Sequence, residues 1–346
     1  MRTTTKLSRS GFLRHSAAAG AGLALAGVGA SRWTGSASAM SMQEVRVVTG
    51  WINDAEFAGY FVAQKRGWYA KEGINHIWSS GANLVPRQLV AAGRDDVGID
   101  STDTALVLRS QGAPIVVLGA PFQKNPAGIM SLASAPILTP KDLIGKKIGL
   151  QPGSLEYLLP VLDAHGISRN QIQIVNAGYD PSPLTSHQVD GFWSFITNEP
   201  VLLAAQGIKT AFLLVSDWGG FPYSDVLITN ENFLTKHEDT LVAWMKATIK
   251  GWELVQADPV AAAQATMAYA NPGLKLNEQI GQAKAEVPLM TSPLTKKKGL
   301  LWVDPAVFAK VQKSLISTKH ITSPVDIGTF VNLSILEKAY GGKTQL

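Results

Sequence analysis

An α/β fold in two lobes is predicted by three features of this 346-residue chain. Short β-branched runs alternate with helical runs twice over, first across residues 45–118 and again across 139–215. The rhythm breaks between the two series, at Pro121 to Pro126, and after a last strand near Ser224 to Thr229 the chain turns helical to its end. Alternating strands and helices indicate a parallel sheet covered by helices. Helices with no strands of their own must pack on a sheet already made, here the first one. Two passages between the series, near residues 125–131 and 222–228, then form a hinge of two crossing segments, where a few residues absorb a closing motion. The lobes so assigned are 40–126 with 229–346, and 127–228.

Composition narrows the function classes. An apolar fraction of 46% suits a chain with a proper core. The absence of cysteine excludes disulfides, thiolate metal sites, cysteine nucleophiles and a lipid-anchored N-terminal Cys. Arg2, Lys6, Arg9, Arg14 and Arg32 account for the whole net charge of +5, so the rest of the chain is formally neutral. No broad basic surface for nucleic acid follows. Those basic residues open a stretch with a Gly/Ala-rich apolar run, Ala17 to Gly29, and an Ala37-Ser38-Ala39 cleavage pattern; residues 1–39 are read as an export signal peptide. Ser8 to Arg14 resembles a twin-arginine motif with Ser10 in place of the second Arg, which leaves the ordinary secretory route open. The apolar run is too short for the ~20 residues a membrane span needs.

In chain order, Val45 to Thr49 forms the first strand. The stretch Trp51 to Gly73 follows as a polar loop feeding a buried helix, with Tyr60 and Phe61 read as core. Ile74 to Trp78 is a strand, Asn83 to Ala92 a helix, and Asp96 to Ile99 a strand ending at Asp100. Ser101 is placed to cap a helix running to Gln111. Ile115 to Leu118 closes the first series. The second contains strand Lys147 to Leu150, a helix opened by Gln151 to Ser154, strand Ile172 to Val175, a helix near Pro183 and strand Val189 to Trp193. Asn198 then caps a helix with Pro200 in its first turn, and strand Thr210 to Val215 follows. Helices are expected over Lys236–Gln256, Pro259–Tyr269, Asn277–Ala285, Pro305–Leu315 and Gly328–Ala339.

Three stretches carry a family resemblance: AEFAGYFVAQKRGWYAKEGI (Ala55 to Ile74), DLIGKKIGLQPGS (Asp142 to Ser154) and TNEPVLLAAQG (Thr197 to Gly207). They resemble the periplasmic solute-binding proteins of ABC importers. Within these, the chain is similar to the group shared by thiamine-pyrimidine-precursor, sulfonate and nitrate binders and by the pyrimidine-precursor synthase. The resemblance runs from about Val45 to Tyr340. It implies two lobes of the type II-like binding-protein fold that close on a small molecule, a membrane permease as partner, a periplasmic location and a monomer without a cofactor. The synthase carries a cofactor-binding lysine and a histidine where this chain has Asp100 and Thr104. A Schiff base needs an amine, so pyridoxal-phosphate chemistry at this position is excluded.

On that fold five loops should meet in a crevice: 51–56, 100–102, 121–123, 152–157 and 193–199. They offer Trp51, Phe122, Tyr157 and Trp193 as flat faces. They offer Asn53, Ser101, Ser154 and Asn198 as polar groups, and Asp54, Glu56, Asp100, Glu156 and Glu199 as acids. Aromatic stacking adds roughly 0.5–1.5 kcal/mol per face, and hydrogen bonds to a charged group about 1.5–3 kcal/mol. A planar, amine-bearing heterocycle of the thiamine-pyrimidine class ranks first, a flavin-like ring next, and sulfonate or nitrate lower, because only Gly153-Ser154 at a helix start offers an anion seat.

Each residue also has a plainer reading. Trp51 could pack between strand and helix, Glu56 and Glu199 could be helix-start charges, and Asp100 and Asp103 could cap. His165, His187, His237 and His320 lack metal spacing and are read as surface residues, His76 suggests no triad, and Lys296 to Lys298 form a solvated turn. A binding protein is expected ahead of an enzyme on the same scaffold or a sensor subunit.

Overall fold

A computed structural model describes residues 42–220 and 222–346. The predicted leader, 1–39, lies outside the described residues. Two five-stranded sheets carry the fold. Strands β1 (Gln43–Thr49), β2 (Ile74–Ser80), β3 (Val97–Asp100) and β4 (Ile115–Gly119) enter the first. Strands β5 (Ala127–Leu132), β6 (Lys147–Leu150), β7 (Gln173–Asn176), β8 (Gly191–Phe195) and β9 (Thr210–Leu214) make the second. Strand β10 (Val226–Asn230) then returns to the first. The sheet orders are β2-β1-β3-β10-β4 and β7-β6-β8-β5-β9.

β1 runs parallel to β2 and β3, and β6 parallel to β7 and β8. The strand that follows each crossing runs antiparallel to its neighbours, β5 between β8 and β9, β10 between β3 and β4. Both sheets are thus mixed, where the alternation of strands and helices predicts parallel pairing. β5 occupies the first of the two passages expected to link the series. Its sequence, AGIMSL, is almost wholly buried, so it lacks the alternation that marks a half-buried strand. Residues 226–228, assigned to the second lobe, belong to β10 in the first sheet. The crossings are 120–126 and 215–225, and they touch each other through a bridge between Phe122 and Ser224.

The C-terminal helices complete the first lobe. Helix Glu238–Ala257 buries Trp244 and Trp252 against helix Ala58–Lys65. The two helices approach so closely that Gly59 and Gly251 admit no side chain: a Cβ on Gly251 would overlap the Gly59 carbonyl, and one on Gly59 would enter the Trp252 ring. His76 stacks on Tyr69 at 4.1 Å and accepts a bond from Trp244 Nε1 at 3.1 Å. Burial pushes its pKa down to about 3, so it is a neutral core residue. The helix expected over 328–339 is two, Ile327–Phe330 and Ser334–Tyr340. Between them Asn332 donates its N–H to Val117 O at 2.9 Å, which draws the chain against the edge strand β4 and breaks the helix.

Candidate functional site

The C-terminal ends of β1, β3, β6 and β8 face a cleft of about 350 Å³, the position where open α/β sheets hold ligands. Trp51 follows β1, Asp100 and Ser101 end β3, and Gln151 to Ser154 follow β6. Trp193 to Phe195 end β8, Asn198 and Glu199 start helix Glu199–Ala205, and Ser224 and Asp225 come from the second crossing.

The loop after β1 builds one wall. Asp54 caps the short helix Ala55–Phe57 by accepting from Glu56 N at 3.0 Å, and it also accepts from Trp51 Nε1 at 3.3 Å. One carboxylate thus starts the helix and aims the indole. Glu56 lines the cleft. Among the described residues its carboxylate has no hydrogen-bond or ion-pair partner. Across the cleft, Glu199 Oε2 accepts from Phe195 N at 3.2 Å.

The electrostatics are one-sided. Burial, followed by the charges of Asp225, Asp54, Glu286 and Glu199, holds Glu56 well above the carboxylate range. Burial lifts Glu199 and Asp225 to about 7 and Asp54 to about 6. Glu286, one layer behind on helix Leu276–Glu286, is fully buried with neither oxygen hydrogen-bonded. Among the described lining residues Arg87 is the one basic side chain, and its guanidinium lies 3.4 Å from Asp100. Asp100 also accepts from Ser101 N at 2.7 Å and Thr104 Oγ1 at 2.6 Å. The cap bond expected of the Ser101 side chain is not made.

Trp51, Glu56, Asp100, Ser101, Ser154, Trp193, Asn198 and Glu199 converge on the cleft. Six other candidates do not line it, among them Asp54, which stands behind Trp51. Asn53 donates to Asn271 Oδ1 at 2.8 Å and Tyr269 O at 3.0 Å and accepts from Trp78 Nε1 at 2.9 Å, so it ties the loop to the rest of the lobe. Phe122 is buried beside Trp252, at 5.8 Å between ring centroids. Gly153 makes the turn between Pro152 and Ser154 with φ +84°. Glu156 faces a second cavity and sits 2.9 Å from His320 Nε2. Tyr157 lies behind Trp193 at 5.9 Å. In the helix that Ser154 opens, Glu156 lies two residues on and so faces away from Ser154.

The structure adds Arg87, Gln151, Tyr179, Phe195 and Asp225 to the cleft. Gln151 Nε2 donates to Gly178 O at 2.9 Å and Trp193 O at 3.1 Å, which links the strand ends. Tyr179 follows β7, so the strand-end rule would have found it. Asp225 lies on a crossing segment and has no local signal.

A formylaminopyrimidine-binding protein of Halalkalibacterium halodurans is 24% identical over 63% of this chain and 68% of its own length. A riboflavin-binding protein, RibY, of Chloroflexus aurantiacus is 24% identical over 83% of this chain and 84% of its own. The crystal structure of the periplasmic aliphatic sulphonate binding protein SsuA from Escherichia coli superposes with a TM-score of 0.66 at 16% identity, covering 83% of this chain and 97% of that one. That likeness shows the fold, the two-lobed architecture of periplasmic binding proteins. The family described as NMT1/THI5 like matches residues 54–262, and with more than half of its length inside that match the chain belongs to the NMT1/THI5-like family.

Proposed function

We propose that this protein is the solute-binding component of an ABC importer and that it captures a planar, amine-bearing nitrogen heterocycle of the thiamine-pyrimidine class. The observation that carries this reading is the set of acids in the cleft. Glu56, Asp225 and Glu199 meet there while Arg87, the one basic group among the described lining residues, is engaged by Asp100. Trp51, Tyr179 and Trp193 add aromatic faces. Ring and exocyclic amines donate to carboxylates, and a planar ring stacks on indole. A sulfonate or nitrate would find no uncommitted cation among the described lining residues.

Closure brings together lobes built on the two sheets, with limits near residues 126 and 226, and the bridged crossings serve as the hinge. The closed form docks as a monomer on a permease after export to the periplasm. No chemical step is assigned: the position of the synthase lysine is Asp100, held by Arg87, Ser101 and Thr104. Among the described residues no group of His, Asp or Glu side chains is placed to hold a metal ion.

Calorimetry with an aminopyrimidine, riboflavin and an alkylsulfonate tests the reading. Binding of the aminopyrimidine above the others is expected. Preference for riboflavin would move the ligand to the flavin class, and preference for the sulfonate would overturn the electrostatic argument.

A further inference from the structure

Asp225 is held in a conformation that side chains rarely adopt. Its φ is +55°, in the left-handed region. Residues there persist when the surrounding structure over-determines them, and they gather at functional sites. The surroundings here are the hinge itself. The preceding residue, Ser224, bridges Phe122 of the other crossing, and the following one begins β10.

The backbone strain delivers a carboxylate to the cleft. Asp225 Oδ1 accepts from Ser224 Oγ at 3.4 Å, whereas Oδ2 has no partner and no contact with solvent. Glu56 meets it from the loop after β1, buried to 7% exposure and also without a hydrogen-bond partner among the described residues. Glu286, with both oxygens unpartnered at 0% exposure, stands behind them. No described cation neutralises this group, because Arg87 is committed to Asp100. Buried polar groups are almost always hydrogen-bonded, and buried charge is normally paired. Several carboxylate oxygens without partners at one wall of a ligand cleft therefore identify the partner as something that enters it.

We propose that Asp225 contacts the positively charged group of the ligand, so that the cleft selects cationic rings over neutral rings of the same shape. This rests on the ring-binding reading above and narrows it. Because Asp225 belongs to a crossing segment, the ligand's charge acts on the hinge as well as on a pocket wall.

The test compares 4-aminopyrimidine with its N-methylpyrimidinium salt, a fixed cation of nearly the same shape, at about pH 8, above the value of about 7 to which burial lifts Asp225. Calorimetry on the wild-type protein should show the pyrimidinium bound at least about tenfold more tightly, the loss expected for one charge-assisted bond. Asp225→Asn should abolish that preference, weakening the cation at least about tenfold more than it weakens the neutral ring. Asn and Gly both tolerate the left-handed backbone, so Asp225→Gly repeats the measurement if the Asn variant misfolds. Variants that keep the cation preference overturn the proposal. Equal binding of both rings by the wild type overturns it and leaves the ring-binding reading intact. Binding of neither ring overturns both.

Discussion

Trp51 and Tyr179 meet edge to face, with ring centroids 5.1 Å apart and planes 65° apart, one ring from the loop after β1 and the other from the loop after β7. Each belongs to a different sheet, so the pair is an aromatic contact across the cleft. Such contacts contribute about 0.5–1.5 kcal/mol beyond burial. Asp54 holds the indole from behind, at 3.3 Å from Nε1, while Tyr179 remains 58% exposed. Trp51 is therefore the prepositioned face. Trp51→Ala should weaken binding of the aminopyrimidine about tenfold and Tyr179→Ala by less, as measured by calorimetric titration. Unchanged affinity in both variants would return the pair to a packing role.

Glu199 and Glu156 separate two readings of a helix-start acid. Glu199 lines the cleft, and Glu156 pairs with His320 on a second cavity. Glu199→Gln should reduce affinity about tenfold through loss of a charge-assisted bond. Glu156→Ala should change it by less than about twofold, since Glu156 faces the second cavity and does not line the cleft. A large loss in the Glu156 variant would place the ligand elsewhere.

The raised acids set the direction of the pH dependence. Asp54, Glu199 and Asp225 are lifted to about 6, 7 and 7, chiefly by burial. The unliganded native state thus binds protons that the unfolded chain has released. This contribution to stability is full below the unfolded carboxyl range near pH 4 and is lost as pH rises through about 6–7. The melting temperature of the free protein should fall over that window. A fixed cation favours the ionised acids, so its affinity should rise over the same window, with protons released on binding. Calorimetry in buffers of different ionisation enthalpy counts them, and proton uptake would contradict the assignment.

Gly251 reports on the helix pair that supports the loop after β1. A methyl there overlaps the Gly59 carbonyl, a backbone atom that no rotamer change can move aside. Gly251→Ala should destabilise the protein by about 1–3 kcal/mol, the range for overpacking, despite the better helix propensity of Ala. Thermal or denaturant unfolding measures this, and a neutral result would mean that the helices separate freely.

The positions of most strands were readable because a β-branched run bounded by glycine or a polar turn has few alternatives. β5 was not, since a strand buried on both faces shows no period. Its direction was hidden as well: a strand that enters a sheet from the other lobe takes its orientation from the crossing. The long C-terminal helix showed its packing face in its own spacing. Gly328–Ala339 did not show its break, because the partner of Asn332 N is the carbonyl of Val117, far away in the chain.

The sequence by itself determined a chain of two α/β series, a cysteine-free composition, a net charge confined to residues 1–39 with formal neutrality beyond them, and an abundance of acids and aromatic rings near strand ends. Residue type and spacing suffice for those statements because they are local. Which acids meet was decided only by the tertiary structure. Asp100 is engaged by Arg87, Glu156 faces away beside His320, and Asp225 reaches the cleft from a hinge segment. The physical reason is that a carboxylate's state depends on its burial and on charges contributed by distant segments. Neither exists until the two sheets and the returning helices have packed.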